Sequence, residues 1–401
     1  NHRLMVLREK FVVCCVMKDK VFTLEIEKSA QGGDGFAHLP DGRACFVQGA
    51  LPSEKIIAKI TESKRDYTKA ETLEVLVPHS LRVAPRCPYY GQCGGCSLQH
   101  ADFSLQKSMA EESIRDTFRR FAREELPENF VIHSGNSWEY RNRIRVQKNR
   151  ENVWGFRAKK SHQIIPVAPT CPILVPKLRE FLKSPEALAI QAQELQVFEN
   201  GNGEISYYYN GMSNQEFSEK SESVVEIAGK KIHSDASVFF QSNLGLLPVL
   251  VKRVLEEAGE GSLLVDLFSG VGFFATILED SFEKIVAVER DSGCLRHAVK
   301  NLKNSAEFIT TPAEDWLQEN MMSKNATLIV DPPRTGLPQS AVEVLLKSSL
   351  PRLIYVSCNP VTLARDLKLF KSGGFSLDSL EGFAFYPQTP HLEMLAILSR
   401  K

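Results

Sequence analysis

The sequence lacks a long hydrophobic run and an excess of charge of either sign. The apolar run near its start, Phe11–Met17, has seven residues, whereas a helix needs about 20 to span a bilayer. That run also lacks the small-residue cleavage site of a secretory signal. Lys and Arg number 49, as do Asp and Glu. Because no overall field attracts nucleic acid, such binding would have to come from local patches.

Paired, evenly spaced cysteines are also missing. The nine cysteines are an odd number with uneven spacing, which argues against a disulfide scaffold. A reducing cytoplasm is the predicted compartment, where clustered cysteines bind metal and isolated ones are packed or catalytic. Because the sequence starts with Asn1 rather than Met, we expect residues 1 to about 16 to be an upstream extension. No functional prediction rests on them.

Three domains are predicted along the 401 residues. Residues 19–78 contain short alternating strands with Gly-rich turns, typical of a small barrel of the OB type, whose face commonly binds nucleic acid. A β-rich module without a ligand is the alternative. Residues 79–230 hold a cysteine cluster, a helical stretch over about 101–125 and a mixed, basic α+β segment. Residues 231–401 form the third domain.

The third domain alternates apolar strands with helical segments. The predicted strands are Ser262–Phe268, Lys284–Glu289, Thr327–Asp331 and Arg352–Ser357. This pattern predicts an open, doubly wound α/β sheet, in which ligands bind at the carboxyl ends of the strands.

The first of these strands runs into a glycine turn. Gly270 and Gly272 would let the backbone approach a ligand closely, and a helix N-terminus follows them. Glu289 ends the next strand, where a carboxylate accepts ribose hydroxyls. A turn that only serves packing is the alternative. Because Ala275 stands where a dinucleotide motif has its third glycine, and because Asp266 precedes the turn, S-adenosylmethionine is favoured over NAD.

Three reactive side chains follow or begin strands. Asp331 ends one strand and Cys358 follows another, just before a helix beginning near Val361, which can lower the pKa of a thiol. Glu393 enters the apolar run Met394–Leu398. The alternatives are a packed structural cysteine and a solvated carboxylate.

Motifs through the C-terminal half resemble the uracil-5-methyltransferase family that acts on transfer and ribosomal RNA. The matching segments are Phe239–Asn243, Asp266–Gly272, Asp331–Arg334, Ser357–Pro360 and His391–Glu393. The resemblance implies an α/β fold with a class I Rossmann-like methyltransferase domain. It also implies a reaction in which a thiolate adds to carbon 6 of uracil, carbon 5 takes a methyl group, and a base removes the carbon-5 proton.

The resemblance implies roles for individual residues. Cys358 would be the nucleophile and Glu393 the base. The residues that would contact S-adenosylmethionine or orient the target base are Gln241, Phe268, Gly270, Glu289 and Asp331. Phe273 departs from the family, since many relatives carry Asn there, and it is given no polar contact.

Four cysteines predict a metal site. Cys87, Cys93 and Cys96 have C-x5-C-x2-C spacing, and Cys171 follows 75 positions later. Four thiolates hold either zinc or a [4Fe–4S] cluster. The spacing is not the C-x3-C-x2-C of radical S-adenosylmethionine enzymes. Resemblance to a subset of the same family implies the [4Fe–4S] cluster, with a structural or RNA-facing role.

Residues 139–160 contain eight Lys or Arg and two Glu. Tyr140, Trp154 and Phe156 are interleaved with them, as in segments that grip phosphates and stack on unpaired bases. A solvated charged face is the alternative.

The N-terminal barrel resembles the RNA-binding TRAM domain at Gly35–Ala37, Gly49–Pro52 and Glu54. A TRAM-like barrel together with a cluster resembles the enzymes of 23S ribosomal RNA more than the bacterial transfer-RNA enzyme. Ribosomal RNA is therefore the favoured substrate, transfer RNA the alternative, and a monomer the expected state. Two other hypotheses remain, an exocyclic-amine methyltransferase and a non-catalytic RNA-binding iron–sulfur protein.

Overall fold

The computed structural model describes residues 18–128, 130–302 and 306–400. The predictions for residues 1 to about 16 and for the run Phe11–Met17 lie outside them. The chain divides into two compact units. The first unit contains the described residues up to Gly91 together with Gly95–Ser113 and Gln388–Pro390. The second contains Gln92–Gly94, Ile114–Pro387 and the residues from His391 onward. The three predicted domain boundaries stay a prediction.

The first unit is built on a six-stranded sheet with the order β1-β5-β6-β4-β3-β2. The strands are β1 Val21–Glu25, β2 Lys28–Ser29, β3 Gly35–His38, β4 Ala44–Gln48, β5 Lys55–Ser63 and β6 Tyr67–Val77. Buried residues alternate with exposed or half-buried ones along β5, as the twofold period of a strand requires. The pairing of β5 with β6 contains register shifts, which are irregularities of the kind that bend a strand.

A buried carboxylate organises one end of this sheet. Glu54 accepts hydrogen bonds from Arg82 Nε at 2.6 Å and from the backbone N–H groups of Leu51 and His79 at 2.8 and 3.1 Å. The carboxylate is therefore paired and hydrogen-bonded, which is the condition for burying a charge. Glu54, which matched the TRAM pattern, has a structural role here.

The second unit contains a five-stranded sheet with the order β10-β9-β8-β11-β12 and a hairpin of β13 and β14. Its strands are β8 Arg143–Lys148, β9 Trp154–Arg157, β10 Ile164–Ile165, β11 Glu194–Glu199, β12 Ile205–Tyr208, β13 Glu222–Ile227 and β14 Lys230–Asp235. The helices between them are Pro176–Phe181, Pro185–Ala189 and Asn214–Lys220, with a 3₁₀ turn at Ala168–Thr170.

An eight-stranded sheet dominates the second unit, with the order β17-β16-β15-β18-β19-β21-β20-β7. Its strands are β7 Val131–His133, β15 Gly261–Leu267, β16 Phe282–Val288, β17 Ala306–Ile309, β18 Ala326–Val330, β19 Arg352–Ser357, β20 Phe375–Phe383 and β21 Glu393–Arg400. β15 to β19 are parallel, whereas β21 runs antiparallel between β19 and β20. The predicted open α/β sheet is confirmed.

Helices cover this sheet. They are Leu247–Ala258, Phe273–Leu278, Ser292–Asn301, Ala313–Glu319, Gln339–Lys347 and Pro360–Ser372, with a 3₁₀ turn at Glu279–Ser281. The predicted helical stretch is confirmed as the helix Phe103–Thr117, followed by a π-helical turn, Phe118–Ala122, and that turn packs against the helix Pro360–Ser372. No helix in the described part of the chain is long and apolar enough to cross a membrane.

Candidate active site

Strand ends meet at one edge of the eight-stranded sheet. β18 ends just before Asp331, and β19 ends at Ser357, just before Cys358. The antiparallel strand β21 begins at this edge with Glu393, and its register pairs Ser357 with Met394. Residues 358 and 393 therefore continue two paired strands side by side. The structure brings the predicted thiol and the two predicted carboxyl groups to one point.

The thiol of Cys358 lies in an environment that holds its proton. Burial raises its pKa to about 11, the charges of Glu393 and Asp331 add to the rise, and the Arg334 guanidinium opposes it. The expectation that the following helix lowers this pKa is wrong. Loss of water and two nearby carboxylates outweigh the helix terminus, whose first turn is already capped by the side chain of Asn359.

Both carboxyl groups are poised near neutral pH. Burial raises the pKa of Glu393 to about 8, Asp331 adds to this rise and Arg334 opposes it. Burial raises the pKa of Asp331 to about 7. A carboxyl group with a pKa near the working pH can both accept and return a proton. The site therefore contains a nucleophile and a candidate general base side by side.

Two neighbouring residues were given no role from the sequence. Arg334 carries the positive charge that opposes the raised pKa values of Cys358 and Glu393. Burial lowers the pKa of His391, and the Arg334 guanidinium lowers it further. Burial raises the pKa of Tyr386, and the charges of Glu393 and Cys358 add to the rise, so Tyr386 lies near both groups. Arg334 ends the Asp331 motif and could have been assigned from it, whereas Tyr386 lies in no motif.

The loop after β15 has three residues with positive φ. The angles are +63° at Phe268, +54° at Gly270 and +76° at Gly272. Gly272 caps the helix Phe273–Leu278, and a Cβ there would lie 3.2 Å from the side chain of Leu302. This position therefore needs glycine for both its backbone conformation and its space.

Glu289 follows β16 and faces this loop. Its two carboxylate oxygens accept hydrogen bonds from the backbone N–H groups of Gly270 at 3.0 Å and Asp291 at 2.8 Å. A shallow pocket open to solvent lies beside it. The pocket is lined by Ser269, Gly270, Ala287, Glu289, Asp291, Leu295, Ala298, Phe308, Ile309 and Thr310. The carboxylate keeps lone pairs for hydroxyl groups of a ligand.

Asp266 is fully buried at the end of β15. One carboxylate oxygen accepts from the N–H of Ala275 at 2.9 Å, and the other has no hydrogen-bond partner among the described residues. Burial, followed by the charges of Asp331 and Glu289, raises its pKa to about 8. A buried polar atom left unpaired is costly unless a ligand or water pairs with it.

The titration of Asp266 predicts a pH-dependent stability. Its pKa is raised on folding, so its stabilising contribution is complete below pH 3.8 and is lost as the pH rises through about 8. The free energy of unfolding of Asp266→Asn minus that of wild type should therefore be higher at pH 9 than at pH 5, by about 2 kcal/mol or more. Urea unfolding at both pH values measures this. The exposed Asp315→Asn serves as control, and an equal difference at both pH values would contradict the expectation.

Gln241 is buried within the turn Phe239–Asn243. Its side-chain oxygen Oε1 has no hydrogen-bond partner within the described residues. The side chain of Ser242 hydrogen-bonds Tyr386, and Asn243 Nδ2 donates to the carbonyl of Phe385 at 3.0 Å. Since Tyr386 lies near Cys358, these hydrogen bonds connect the turn to the same site. Phe239 in the turn is 66% exposed.

Phe273 packs as an apolar residue. Its ring lies edge-on to Phe240 at 5.6 Å and to Phe274 at 5.0 Å between centroids. The side chain thus supports the turn that carries Gln241 instead of offering a polar group. This agrees with giving Phe273 no polar cofactor contact.

Salt bridges to Asp235 hold the chain just before the turn Phe239–Asn243. Asp235 is buried and accepts hydrogen bonds from His297 Nε2 at 2.5 Å, Arg296 Nε at 3.1 Å and the backbone N–H of Ser237 at 2.6 Å. These contacts hold the pKa of Asp235 well below its usual range despite burial. The sequence offered no signal for these salt bridges, because their partners lie some 60 residues apart.

Two of the three aromatic residues in the basic segment are buried. Tyr140 donates its hydroxyl to the carbonyl of Pro387 at 2.9 Å, and Trp154 donates its indole N–H to the carbonyl of Ala187 at 2.9 Å. The prediction that Tyr140 and Trp154 stack on bases is wrong, because both rings are in the core. Arg145 and Arg157 are exposed and remain available to phosphates.

Trp154 should therefore matter for stability rather than for RNA binding. Its side chain is 0% exposed, so Trp154→Ala should lower the free energy of unfolding by about 3–5 kcal/mol. Trp154→Phe, which leaves the Ala187 carbonyl without its donor, should cost about 1–2 kcal/mol. Urea unfolding measures both. Trp154→Phe should bind single-stranded RNA like wild type in fluorescence anisotropy, and a large loss of affinity would restore the stacking hypothesis.

The predicted cluster cysteines fall in both units. Cys87 and Cys96 belong to the first unit, and Cys93 and Cys171 to the second. Burial raises the pKa of the Cys87 thiol. Among the described residues, no group of three or more His, Cys, Asp or Glu is arranged to hold a metal ion. The [4Fe–4S] cluster therefore stays a prediction from spacing and resemblance.

Two family descriptions match parts of the chain. Residues 317–401 match the tRNA (uracil-5-)-methyltransferase family, and residues 16–73 match the TRAM domain. The first match contains Asp331, Cys358 and Glu393. The second contains β1 to β5 and the first part of β6.

Similar proteins cover nearly the whole chain. An RNA methyltransferase from Treponema denticola is 30% identical over 409 residues, which covers 94% of this chain and 98% of that protein. The 23S rRNA (uracil(1939)-C(5))-methyltransferase RlmD of Shewanella sediminis is 28% identical, with 94% and 95% covered. The Pyrococcus abyssi tRNA (uracil-54, C5)-methyltransferase, solved with S-adenosyl-L-homocysteine, is 23% identical with a TM-score of 0.73, covering 94% and 99%. That structure shares the fold.

Proposed function

Since the chain belongs to the RNA uracil-5-methyltransferase family, we propose that it transfers a methyl group from S-adenosylmethionine to carbon 5 of a uridine in RNA. The observation that carries this proposal is the pairing of β19 with β21, which sets Cys358 beside Glu393. Amine methylation needs no thiol nucleophile, whereas carbon-5 methylation of uracil needs both a nucleophile and a base.

The reaction follows from these side chains. The Cys358 thiol gives its proton to water, and its sulfur bonds to carbon 6 of the uracil as the double bond between carbons 5 and 6 opens, which makes carbon 5 nucleophilic. When bound, S-adenosylmethionine would supply the methyl group that carbon 5 takes and would leave as S-adenosylhomocysteine. Glu393 then removes the proton from carbon 5, and the bond between sulfur and carbon 6 breaks to restore the ring. Asp331 and Arg334 set the charge around both groups.

The cofactor pocket supports the same proposal. Glu289 and Gly270 are proposed to bind the ribose side of S-adenosylmethionine next to the open pocket. Phe268 and Gln241 would contact the cofactor or the target base. The unpaired oxygens of Asp266 and Gln241 are consistent with a site whose polar atoms are completed by ligands.

For the substrate, we favour 23S ribosomal RNA over transfer RNA. Relatives named for 23S rRNA cover 94% of the chain, and the TRAM match agrees with the same choice. The test is to incubate the protein with labelled S-adenosylmethionine and unmodified ribosomal or transfer RNA, then map the labelled base. Label on one uridine of ribosomal RNA is expected. Label on adenine or guanine would contradict the proposal.

The [4Fe–4S] cluster is proposed from the cysteine spacing together with the family resemblance, and the reducing cytoplasm from the cysteine pattern. Protein purified without oxygen should contain close to four iron and four sulfide per chain if the cluster forms. Cys96→Ser should lower both, whereas Cys45→Ser should not. Stoichiometric zinc without sulfide would contradict the cluster.

A further inference from the structure

The helix that follows Cys358 holds the loop that carries Arg334. Asn359 Nδ2 donates to the carbonyl of Arg334 at 2.8 Å. The guanidinium of Arg365 donates to the carbonyls of Thr335 and Leu337, both at 3.1 Å. The residues 334–337 are thus attached along their backbone to the helix Pro360–Ser372.

Asp366 is the centre of this attachment. It is buried, and its Oδ2 accepts from the backbone N–H of Leu337 at 3.0 Å and from the hydroxyl of Tyr355 at 2.8 Å. Its Oδ1 accepts from Arg365 Nε at 2.8 Å. Burial and the Asp366 charge raise the pKa of Tyr355, so the phenol remains a donor. A buried carboxylate with three donors fixes its surroundings.

Gly336 shows how closely the loop lies on the helix. Its φ is +75°, and a Cβ there would lie 2.7 Å from Arg365 Nη2, 2.8 Å from Asp366 Oδ2 and 2.9 Å from Thr362 Cβ. Any other residue would push the loop away from the helix, in addition to straining the backbone. Gly336→Ala is therefore a second way to displace the loop.

The displaced group would be Arg334. The titratable and charged groups that face the Cys358 thiol are Glu393, Asp331, Tyr386 and Arg334. Arg334 alone among these four is positive and favours the thiolate. Its side chain is exposed, and its backbone carbonyl is bonded to Asn359, the residue after Cys358, so the place of the guanidinium depends on this loop.

We propose that Asp366 is a positioning residue that holds the Arg334 loop so that the guanidinium stays beside Cys358. The effect of this attachment on the reactivity of the Cys358 thiol can be tested without RNA. Its consequence for methyl transfer rests on the function proposed above.

The test is a double-mutant cycle on the alkylation of Cys358 by iodoacetamide at pH 8, followed by mass spectrometry of the Cys358 peptide. Arg334→Ala should slow alkylation about three- to tenfold, since a nearby positive charge favours the thiolate. Asp366→Asn should slow it in the wild-type background. In the Arg334→Ala background, Asp366→Asn should change the rate by less than about 1.5-fold.

A merely structural role for Asp366 predicts a different pattern. Its effect would then be the same in both backgrounds, or absent in both, and either result overturns the proposal. Should Asp366→Asn fail to fold, Gly336→Ala and Tyr355→Phe replace it in the same cycle. Lys368→Ala, an exposed change on the same helix, is the control and should leave alkylation unchanged. Wild-type methyl transfer to uridine, assayed separately, reports on the proposed function alone.

Discussion

Cys358→Ala is expected to abolish methyl transfer to uridine, lowering kcat/KM by at least about 10⁴-fold, as removal of a nucleophile does in other enzymes. Carbon 5 of uracil is a poor nucleophile until sulfur adds to carbon 6, and no second thiol in the described residues shares an edge of the sheet with Glu393. Transfer of label from S-adenosylmethionine to RNA measures the loss, and calorimetry should show unchanged cofactor binding.

Trapping with 5-fluorouridine in the substrate RNA tests the same bond directly. Fluorine at carbon 5 cannot leave as a proton does, so wild-type protein should form an adduct that survives denaturation, and Cys358→Ala should form none. Cys45→Ala, a buried thiol of the first unit, should still form it.

The outcome also separates the two enzymatic hypotheses. An exocyclic amine attacks a methyl group without help from a thiol, so turnover retained in Cys358→Ala would favour amine methylation. Label mapped to a purine in the same experiment would agree with that result. Loss of turnover together with a missing adduct in the variant supports the uracil mechanism.

The sheet could be predicted because parallel strands buried on both faces are continuous apolar runs. β15, β16, β18 and β19 lie within one or two residues of their predicted bounds. β7, β17 and β20 were missed. β17 and β7 have four and three residues, and at the sheet's two ends only one neighbour specifies each of them. β20 carries polar residues and a glycine, so it is not a continuous apolar run.

The site could be predicted only in part. The motifs named Cys358 and Glu393, but the register that sets them side by side is a long-range property that no local pattern contains. The sign of the Cys358 pKa shift was wrong for the same reason, since burial and carboxylates from other strands decide it. From the sequence, Asp366 would be taken for an ordinary charged residue on a helix surface. Only its contacts with residues 334–337 show its role.

Glu393→Gln should stop the reaction after methyl transfer. Glutamine keeps the size of the side chain but cannot accept the carbon-5 proton, so the bond between Cys358 and carbon 6 cannot be eliminated. With unmodified RNA and S-adenosylmethionine, the variant should accumulate a methylated covalent complex, visible as a denaturation-resistant band. Multiple turnover should fall by about 10³-fold or more, within the range for loss of a general base.

The raised pKa of Glu393 adds a pH signature. The base acts only when ionised, and burial raises its pKa to about 8. Release of product from the wild-type adduct should therefore speed up with rising pH and level off above about pH 8. Rapid-quench measurements across pH 6 to 9.5 follow this step, and the dependence should be missing from whatever slow release Glu393→Gln retains.

Matched variants separate Glu393 from its neighbour Asp331. Asp331→Asn should slow turnover without accumulating a methylated adduct, because the base is still present. Glu283→Gln, an exposed change on the same sheet, should behave as wild type. If the methylated complex accumulates in Asp331→Asn and not in Glu393→Gln, then Asp331 is the base. The adjacent carboxyl groups would then have exchanged roles, while the covalent mechanism at Cys358 would stand.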